Sequence, residues 1–279
     1  MAPCMAAVGQ YFDKKRGAAM GIAIAGSSVG GVVFPIALGK MLANPNIGFA
    51  WGVRIVGFIM LGVLVPCCIT IRARLPPRKK NFLLLSAFKE LQYNAIIGAA
   101  FLMIIGMFTP MVYLPSYAVA HGMSRLLASY LLAIVNAASF FGRVIPGILA
   151  DKFGRLNSLL LAGLSTGILI FCWQKATTNA SILVVAAVFG FCSGAIISSM
   201  SVSLVTVPKD PRNIGTYMGQ GMFVIAFAAL IGPPINGALI KRYHSFDESS
   251  IFSGTLVLVG SLIVLVAKHA TGKGVLAKV

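Results

Sequence analysis

Acidic residues are scarce in this sequence: 6 Asp and Glu stand against 23 Lys and Arg among 279 residues. Charged residues of both signs make up 10% of the chain, whereas an ordinary soluble domain is about 25% charged. Hydrophobic residues make up 58%, and the mean hydropathy is +0.91. This balance excludes a soluble globular enzyme and a disordered chain, and it predicts an integral membrane protein of the all-α class.

The motifs of soluble enzyme chemistry are also missing. The sequence has no P-loop, no H-E-x-x-H, no G-x-S-x-G and no paired carboxylates. Its five cysteines form no C-x-x-C, so neither a zinc site nor a disulfide framework is indicated. We therefore expect no enzyme activity, no metal and no cofactor. All six acidic residues lie in predicted loops or at the ends of apolar runs, which argues against a proton relay through a carboxylate at the membrane centre.

What the sequence does contain is a series of long apolar runs. A helix needs about 20 residues to cross a hydrocarbon core of about 30 Å, and backbone groups in lipid must be paired within the segment. The runs therefore predict eight transmembrane helices. They cover residues 17–40, 50–71, 93–118, 127–150, 157–174, 180–207, 214–240 and 250–268.

The basic residues predict the orientation of these spans. Seventeen of the 23 fall in loops on the side that holds residues 11–16, and the remainder fall on the other side. Cytoplasmic loops of membrane proteins carry such an excess, so the basic loops and the C-terminus are expected in the cytoplasm and the lipid bilayer is the expected surrounding. The same pattern argues against nucleic acid as a partner. The plasma membrane is the expected location.

A loop signature lies between the fourth and fifth predicted spans. It reads Gly147-Ile-Leu-Ala-Asp151-Lys-Phe-Gly154-Arg155. Gly147 allows two helices to approach closely, and Asp151 can accept hydrogen bonds from the amides of a helix N-terminus or from an arginine. Gly154 permits a tight turn at positive φ, and Arg155 returns a charge to the loop. The alternative is an ordinary basic turn between two spans.

This signature resembles the G-x-x-x-D-x-x-G-R loop of the major facilitator superfamily. Three further stretches resemble its monocarboxylate-transporter branch, particularly the fungal members: YFDKKRGAAMGIAIAGSSVG (residues 11–30), GFAWGVRIVGF (48–58) and FFGRVIPG (140–147). The resemblance implies a gating role for Gly147, Asp151, Gly154 and Arg155. It also implies a fold of twelve helices in two bundles, of which the eight spans correspond to helices five to twelve.

Aligned to that plan, the chain is expected to lack about the first three to four helices. The predicted domains are residues 1–71, a remnant of the N-terminal bundle with the tail of helix four and helices five and six; residues 72–92, a cytoplasmic basic linker; and residues 93–279, a C-terminal bundle of six helices. Helices five and eight of the resembled fold meet between the bundles. Gly26 and Gly30 are therefore candidates for a sliding surface, with plain tight packing as the alternative.

Arg143 is the first candidate for substrate binding. A charge within a span is costly and usually faces a cavity or a partner. The resemblance associates an arginine at this position with holding a substrate carboxylate, for which a guanidinium offers a two-pronged donor. Animal-type members carry an Asp one turn earlier, where this chain has Ser139. The alternative is that Arg143 extends to the cytoplasmic interface and braces the loop.

Three more residues are candidates for contact with the substrate. Asn136 lies seven residues before Arg143 and so projects from the same helix face; the alternative is a hydrogen bond between helices. Tyr113 and Tyr117 lie one turn apart beside two prolines, which suits a gate near the outer end of the helix. Their alternative is an interfacial aromatic belt beside an ordinary proline kink.

These observations predict a secondary active transporter of small, monocarboxylate-like organic anions that works by alternating access, with or without a coupled proton. Two alternatives stay open. The chain could be a non-transporting remnant or a partner subunit, because the front of the resembled fold has no counterpart. It could also be a vitamin carrier of the riboflavin type, which the resembled fungal family includes and which Ser139 favours. The oligomeric state is not predicted.

Overall fold

The computed structural model describes residues 2–12, 14–72, 74–75 and 83–272. Within these residues the chain forms nine α-helices and two short 3-10 turns. The helices are α1 (Ala2–Tyr11), α2 (Arg16–Ala43), α3 (Gly48–Thr70), α4 (Leu91–Ala120), α5 (Arg125–Phe153), α6 (Arg155–Trp173), α7 (Asn179–Thr206), α8 (Ile214–Tyr243) and α9 (Asp247–His269). The 3-10 turns, Leu85–Lys89 and Pro211–Asn213, precede α4 and α8.

The helices α2 to α9 are each long and apolar enough to cross a bilayer. This confirms the eight predicted spans and the all-α membrane fold. Several helices extend one to three residues beyond the predicted apolar range, and polar residues cap two of them. Ser124 accepts a hydrogen bond from the amide of Leu127 at the start of α5, and Thr178 forms a capping box with Ser181 at the start of α7.

The helices alternate in direction, so the molecule has two ends. We call the end at which α2 begins and α5 stops the basic end, because Lys15, Lys152 and Lys268 lie there. There the Tyr93 hydroxyl donates to the carbonyl of Tyr217, over 2.6 Å. At the opposite end, the Tyr117 hydroxyl donates to the carbonyl of Ala176 over 3.0 Å. At each end, α4 is thus joined by a hydrogen bond to a distant part of the chain.

The helices α4 to α9 pack into one bundle with a continuous apolar core. Its largest fully buried side chains include Trp173, Tyr93 and Phe189. Glycines let several helix pairs come into backbone contact: a Cβ added at Gly142 on α5 would lie 2.0 Å from the carbonyl oxygen of Phe191 on α7. Without a hydrophobic driving force in lipid, such close packing is what holds membrane helices together.

The first three helices join this bundle along one side. The helix α2 runs along α5, α1 packs on α8, and α3 contacts α2. A second, smaller core joins α1 and α2 to α7 and α8 through Met5, Met20, Ile24, Val205 and Met218. In α3, by contrast, Gly52 is the one buried residue.

The predicted division into domains stays a prediction. In the described part of the chain, α3 ends at Thr70 and α4 begins at Leu91, close to the proposed limits of the basic linker. Much of that linker, residues 73 and 76–82, lies outside the described residues, as do the first residue and residues 273–279.

Candidate functional site at the α2–α5 interface

The helices α2 and α5 touch backbone to backbone in the half of the molecule near the basic end. A Cβ added at Gly17 would lie 2.4 Å from the carbonyl oxygen of Gly147, and one at Gly21 would lie 2.6 Å from that of Arg143. Conversely, a Cβ at Gly147 would lie 2.8 Å from the carbonyl oxygen of Gly17. Any side chain at these three positions would force the helices apart.

Asp151 joins the two helices at the basic end. Its Oδ1 accepts a hydrogen bond from the amide of Gly17 over 2.9 Å, and its Oδ2 accepts one from the amide of Ala18 over 3.0 Å. These amides lie in the first turn of α2, where the helix leaves its N–H groups unpaired and its dipole favours a negative charge. A carboxylate from α5 thus caps α2, the kind of partner that the sequence suggested for Asp151.

The rest of the loop signature shapes the turn between α5 and α6. Gly154 has φ of +99°, a conformation that side-chain-bearing residues rarely adopt, and it connects the two helices as a single residue. Arg155 is the first residue of α6. The structure therefore places Gly147 and Asp151 against α2 and Gly154 and Arg155 at the adjacent turn. Their gating role stays a prediction.

Arg143 lies at the centre of the interface. It lies four residues, about 6 Å along the axis, from the midpoint of α5. The side chain is 5% exposed. Its Nη1 donates to the carbonyl oxygen of Ile24, over 3.1 Å, and to the hydroxyl of Ser27. The guanidinium reaches across to α2 instead of extending to the interface, which was the alternative interpretation.

The buried charge of Arg143 has neutral partners in the described part of the chain. Its bonded acceptors are a carbonyl and a hydroxyl, and its Nε has no hydrogen-bond partner there. An uncompensated charge in a low-dielectric region is unfavourable. An anion bound at this position would compensate the charge of Arg143.

Asn136 lies on the same face of α5 as Arg143, as the seven-residue spacing predicts. Its Nδ2 donates to the carbonyl of Leu132 in its own helix over 2.8 Å, and a Cβ at Gly31 would lie 2.5 Å from its Oδ1. Asn136 therefore packs against α2 two turns beyond Arg143. Its contact with a substrate stays a prediction.

Beyond Asn136, α2 and α5 separate. A cavity of about 260 Å³ opens between them at the opposite end, lined by Pro35, Gly39, Lys40, Leu126, Ser129 and Tyr130 among others. The interface is thus closed from Gly17 to Gly31 and open beyond. Arg143 lies within the closed part.

The structure does not bring Tyr113 and Tyr117 to this site. Tyr113 donates to the carbonyl of Pro233 on α8 over 2.8 Å. Tyr117 is 2% exposed, and its ring packs against Trp173 and Phe246, each with 5.3 Å between ring centroids. Both tyrosines project from α4 into the bundle because a hydroxyl within a span needs an acceptor from a neighbouring helix. The four predicted substrate residues therefore do not form one cluster.

The prediction for Gly26 and Gly30 is wrong. A Cβ at Gly26 would meet nothing within 4 Å, and one at Gly30 would meet only Phe34 of the same helix. At about 100° per residue, Gly26 lies half a turn from Gly17 and so faces away from α5. The surface of α2 that contacts α5 is formed by Gly17, Gly21 and Gly31.

Two other polar residues in α8 differ in their surroundings. The Oδ1 of Asn236 accepts hydrogen bonds from Ser249 over 2.6 Å and from Ser253 over 3.0 Å, so this amide pairs with α9. Gln220 is 8% exposed, and neither its Oε1 nor its Nε2 has a partner among the described residues. In the described part of the chain, Asn236 alone of these two amides pairs with a neighbouring helix.

The sequence of this chain is similar to those of known proteins. The sequence model of the Major Facilitator Superfamily matches residues 1–233 and, overlapping, 147–277. An aspyridones efflux protein of Emericella nidulans is 51% identical over 274 residues, which cover 98% of this chain and 56% of the relative. An agnestins efflux protein of Paecilomyces divaricatus is 38% identical over 282 residues, covering 99% of this chain and 63% of the relative.

The structural comparison concerns the fold alone. The crystal structure of the human organic anion transporter MFSD10 (TETRAN) superposes with a TM-score of 0.69 at 16% sequence identity. The match covers 93% of this chain and 66% of that one. The chain spans less than two thirds of the length of each of these relatives.

Proposed function

The chain belongs to the Major Facilitator Superfamily, and we propose that it carries a small organic anion across a membrane by alternating access at the α2–α5 interface. The observation that carries the proposal is Arg143, a buried guanidinium near the middle of the spans whose described partners are all neutral. An intramembrane charge of this kind usually marks a substrate pathway.

The chemistry of Arg143 favours a carboxylate as the group it holds. A guanidinium is always charged and presents two parallel N–H donors, which match the two oxygens of a carboxylate. Ser27 and the carbonyl of Ile24 occupy Nη1 in the present conformation. The substrate would exchange with these neutral acceptors and bring the compensating charge. Ser139 stands one turn earlier, where animal-type members of the resembled family carry an Asp, so proton coupling would need another carrier group.

Alternating access requires the two ends of the α2–α5 interface to open in turn. The contacts of Gly17 with Gly147 and the two bonds of Asp151 close the basic end in the present conformation, while the cavity near Ser129 opens at the opposite end. In the proposed cycle, Gly147, Asp151, Gly154 and Arg155 form the gate at the basic end, and Asn136 contacts the substrate beside Arg143. We place the basic end in the cytoplasm, from the distribution of basic loops.

Export of a secondary metabolite is a second candidate function. It is favoured by two relatives, 51% and 38% identical, whose names describe efflux of aspyridones and of agnestins. It adds a direction, outward transport, to the first candidate, and it uses the same interface.

A flux assay in liposomes tests the proposal. The 279-residue chain and the longest reading frame that contains it are reconstituted, and uptake of labelled lactate, pyruvate and riboflavin is followed with and without a pH gradient. We expect saturable uptake of an organic acid, lost in Arg143→Ala and strongly reduced in Arg143→Lys, because an ammonium lacks the two-pronged geometry. Arg125→Ala, an exposed arginine at the start of α5, is the matched control.

Three outcomes would change the assignment. Normal flux in both Arg143 variants would overturn the role of Arg143. Competition by riboflavin without competition by lactate or pyruvate would favour a vitamin carrier of the same fold. Flux from the longer protein but none from the 279-residue chain would favour the non-transporting alternative for this chain.

A further inference from the structure

A groove of about 540 Å³ lies on the face of α5 that points away from α2. The helix α5 and the outward-facing residues of α6 form its walls, and α7 together with Ala162 of α6 forms its floor. The floor residues are small and buried: Ala162 is 5%, Cys192 9% and Ala195 4% exposed. The walls carry large exposed side chains, among them Phe153 and Leu161. The volume is within the range of about 300–1,000 Å³ typical of ligand sites.

The polar side chains of the groove are already paired within the protein. Ser158 shares a hydrogen bond of 2.9 Å with Ser199, Ser165 donates to the carbonyl of Leu161 over 2.9 Å, and Asn157 donates to that of Phe153 over 2.8 Å. A bound water needs two to four polar partners. The groove therefore suits a hydrocarbon chain and not a polar metabolite or a water cluster.

The groove has the depth of one leaflet. It follows α6 from Asn157, close to the start of the helix, to Ser165. Ser165 lies ten residues beyond Arg155, about 15 Å along the axis, which is half of a hydrocarbon core of about 30 Å. A chain in the groove would thus belong to the leaflet at the basic end.

The mouth of the groove at the basic end is positively charged. Lys152 is exposed next to Phe153. Lys268 is 2% exposed, and its Nζ donates to the Oδ1 of Asn157. In the described part of the chain neither lysine forms an ion pair. Lysines at the edge of the hydrocarbon attract anionic headgroups.

We propose that this groove holds one acyl chain of an anionic phospholipid from the leaflet at the basic end, with its headgroup beside the exposed Lys152. The apolar walls, the absence of free hydrogen-bonding side chains in the lining and the charged mouth together select an amphiphile with a hydrocarbon tail and a negative head. The inference needs only that the chain spans a membrane, so it does not depend on transport.

Photocrosslinking in nanodiscs tests the proposal. The purified chain is placed in bilayers that contain phosphatidylserine with a diazirine in its acyl chain, or phosphatidylcholine with the same chain, and the labelled residues are mapped by mass spectrometry. We expect labelling concentrated at residues 157–165 and 191–195. We also expect about fivefold more labelling from phosphatidylserine, the ratio that about 1 kcal/mol per juxtamembrane lysine produces. Lys152→Gln should remove most of this preference while leaving the label from phosphatidylcholine unchanged.

Filling the groove gives the decisive variant. Ala162→Phe places a ring on the floor and should abolish labelling there, whereas Ile168→Phe, at an exposed position of α6 outside the groove, should not. Ala195→Leu replaces Ala162→Phe if that variant is not monodisperse. Labelling spread evenly over all lipid-facing residues, equal labelling by both lipids, or unchanged labelling of the filled variants would overturn the proposal. So would displacement of the lipid by excess lactate, since that would identify the groove as a cargo site.

Discussion

At the scale of single residues, Asp151 shows how one side chain can connect two helices. It supplies both oxygens to the first turn of α2, so its removal leaves two amides without acceptors. We expect Asp151→Ala to lower the free energy of unfolding by about 1–2 kcal/mol, since loss of a helix cap costs about this much. Asp151→Asn should have a smaller effect because it keeps one acceptor. Thermal unfolding of the purified chain provides the measurement.

Asp210 offers a matched control for that prediction. Its Oδ1 also accepts from a backbone amide, that of Arg212 over 2.9 Å, but within an exposed turn of three residues. Asp210→Ala should therefore leave the unfolding temperature nearly unchanged. Equal losses in the two alanine variants would mean that the connection between α5 and α2 contributes nothing beyond a local cap.

Arg143 illustrates a residue whose type was predictable and whose partner was not. A charge in an apolar run identifies a candidate site from the sequence alone. The acceptors, Ile24 and Ser27, lie more than a hundred positions away in the chain. Ser27 is an ordinary serine in an apolar helix, and no pattern near it predicts that it meets a guanidinium.

At the scale of helices, the packing of α5 against α7 depends on glycine. A Cβ at Gly142 would lie 2.0 Å from the carbonyl oxygen of Phe191, a backbone atom that cannot move without shifting α7. We expect Gly142→Ala to destabilise the bundle by about 1–3 kcal/mol, the usual cost of overpacking. The change would be measured as a lower unfolding temperature and a smaller monodisperse fraction in size-exclusion chromatography.

Gly26→Ala is the companion variant. Its added methyl group would face open space on α2, and alanine favours a helix over glycine by about 1 kcal/mol. It should therefore be neutral or slightly stabilising. If Gly26→Ala destabilised the chain as much as Gly142→Ala, the close contact of Gly142 with α7 would not be the cause of the destabilisation in Gly142→Ala.

At the scale of the whole molecule, the α2–α5 interface is closed near the basic end and open at the other. Ser129 lines the open cavity, whereas Ser28 on α2 is fully buried. In a background with the five cysteines replaced, we expect Ser129→Cys to react quickly with a membrane-impermeant maleimide and Ser28→Cys to react slowly. Both substitutions are nearly isosteric, so the difference between the two reaction rates reports how accessible each position is to the reagent.

The same labelling experiment tests the orientation and the proposed cycle. The reagent should reach Ser129→Cys only from the side opposite the basic loops, and a transported anion should change its rate by closing the cavity. Equal rates for the two cysteines, or reaction from the basic side, would contradict the arrangement.

The sequence by itself determined the class of the protein, its eight spans and the family, because apolar length, charge between spans and a loop signature are all local properties of the chain. It also placed Arg143 and Asn136 on one helix face, because a seven-residue spacing is two turns. Which face of α2 meets α5 could not be settled in the same way: six G-x-x-x-G pairs in the sequence look alike, and Gly26 and Gly30 were the wrong choice. The substrate contact of Tyr113 and Tyr117 stays a prediction; the structure adds that their hydroxyls bond within the bundle. Only the tertiary structure decided these points, since every helix in lipid is apolar all around and its partner is selected by close fit and hydrogen bonds between distant residues.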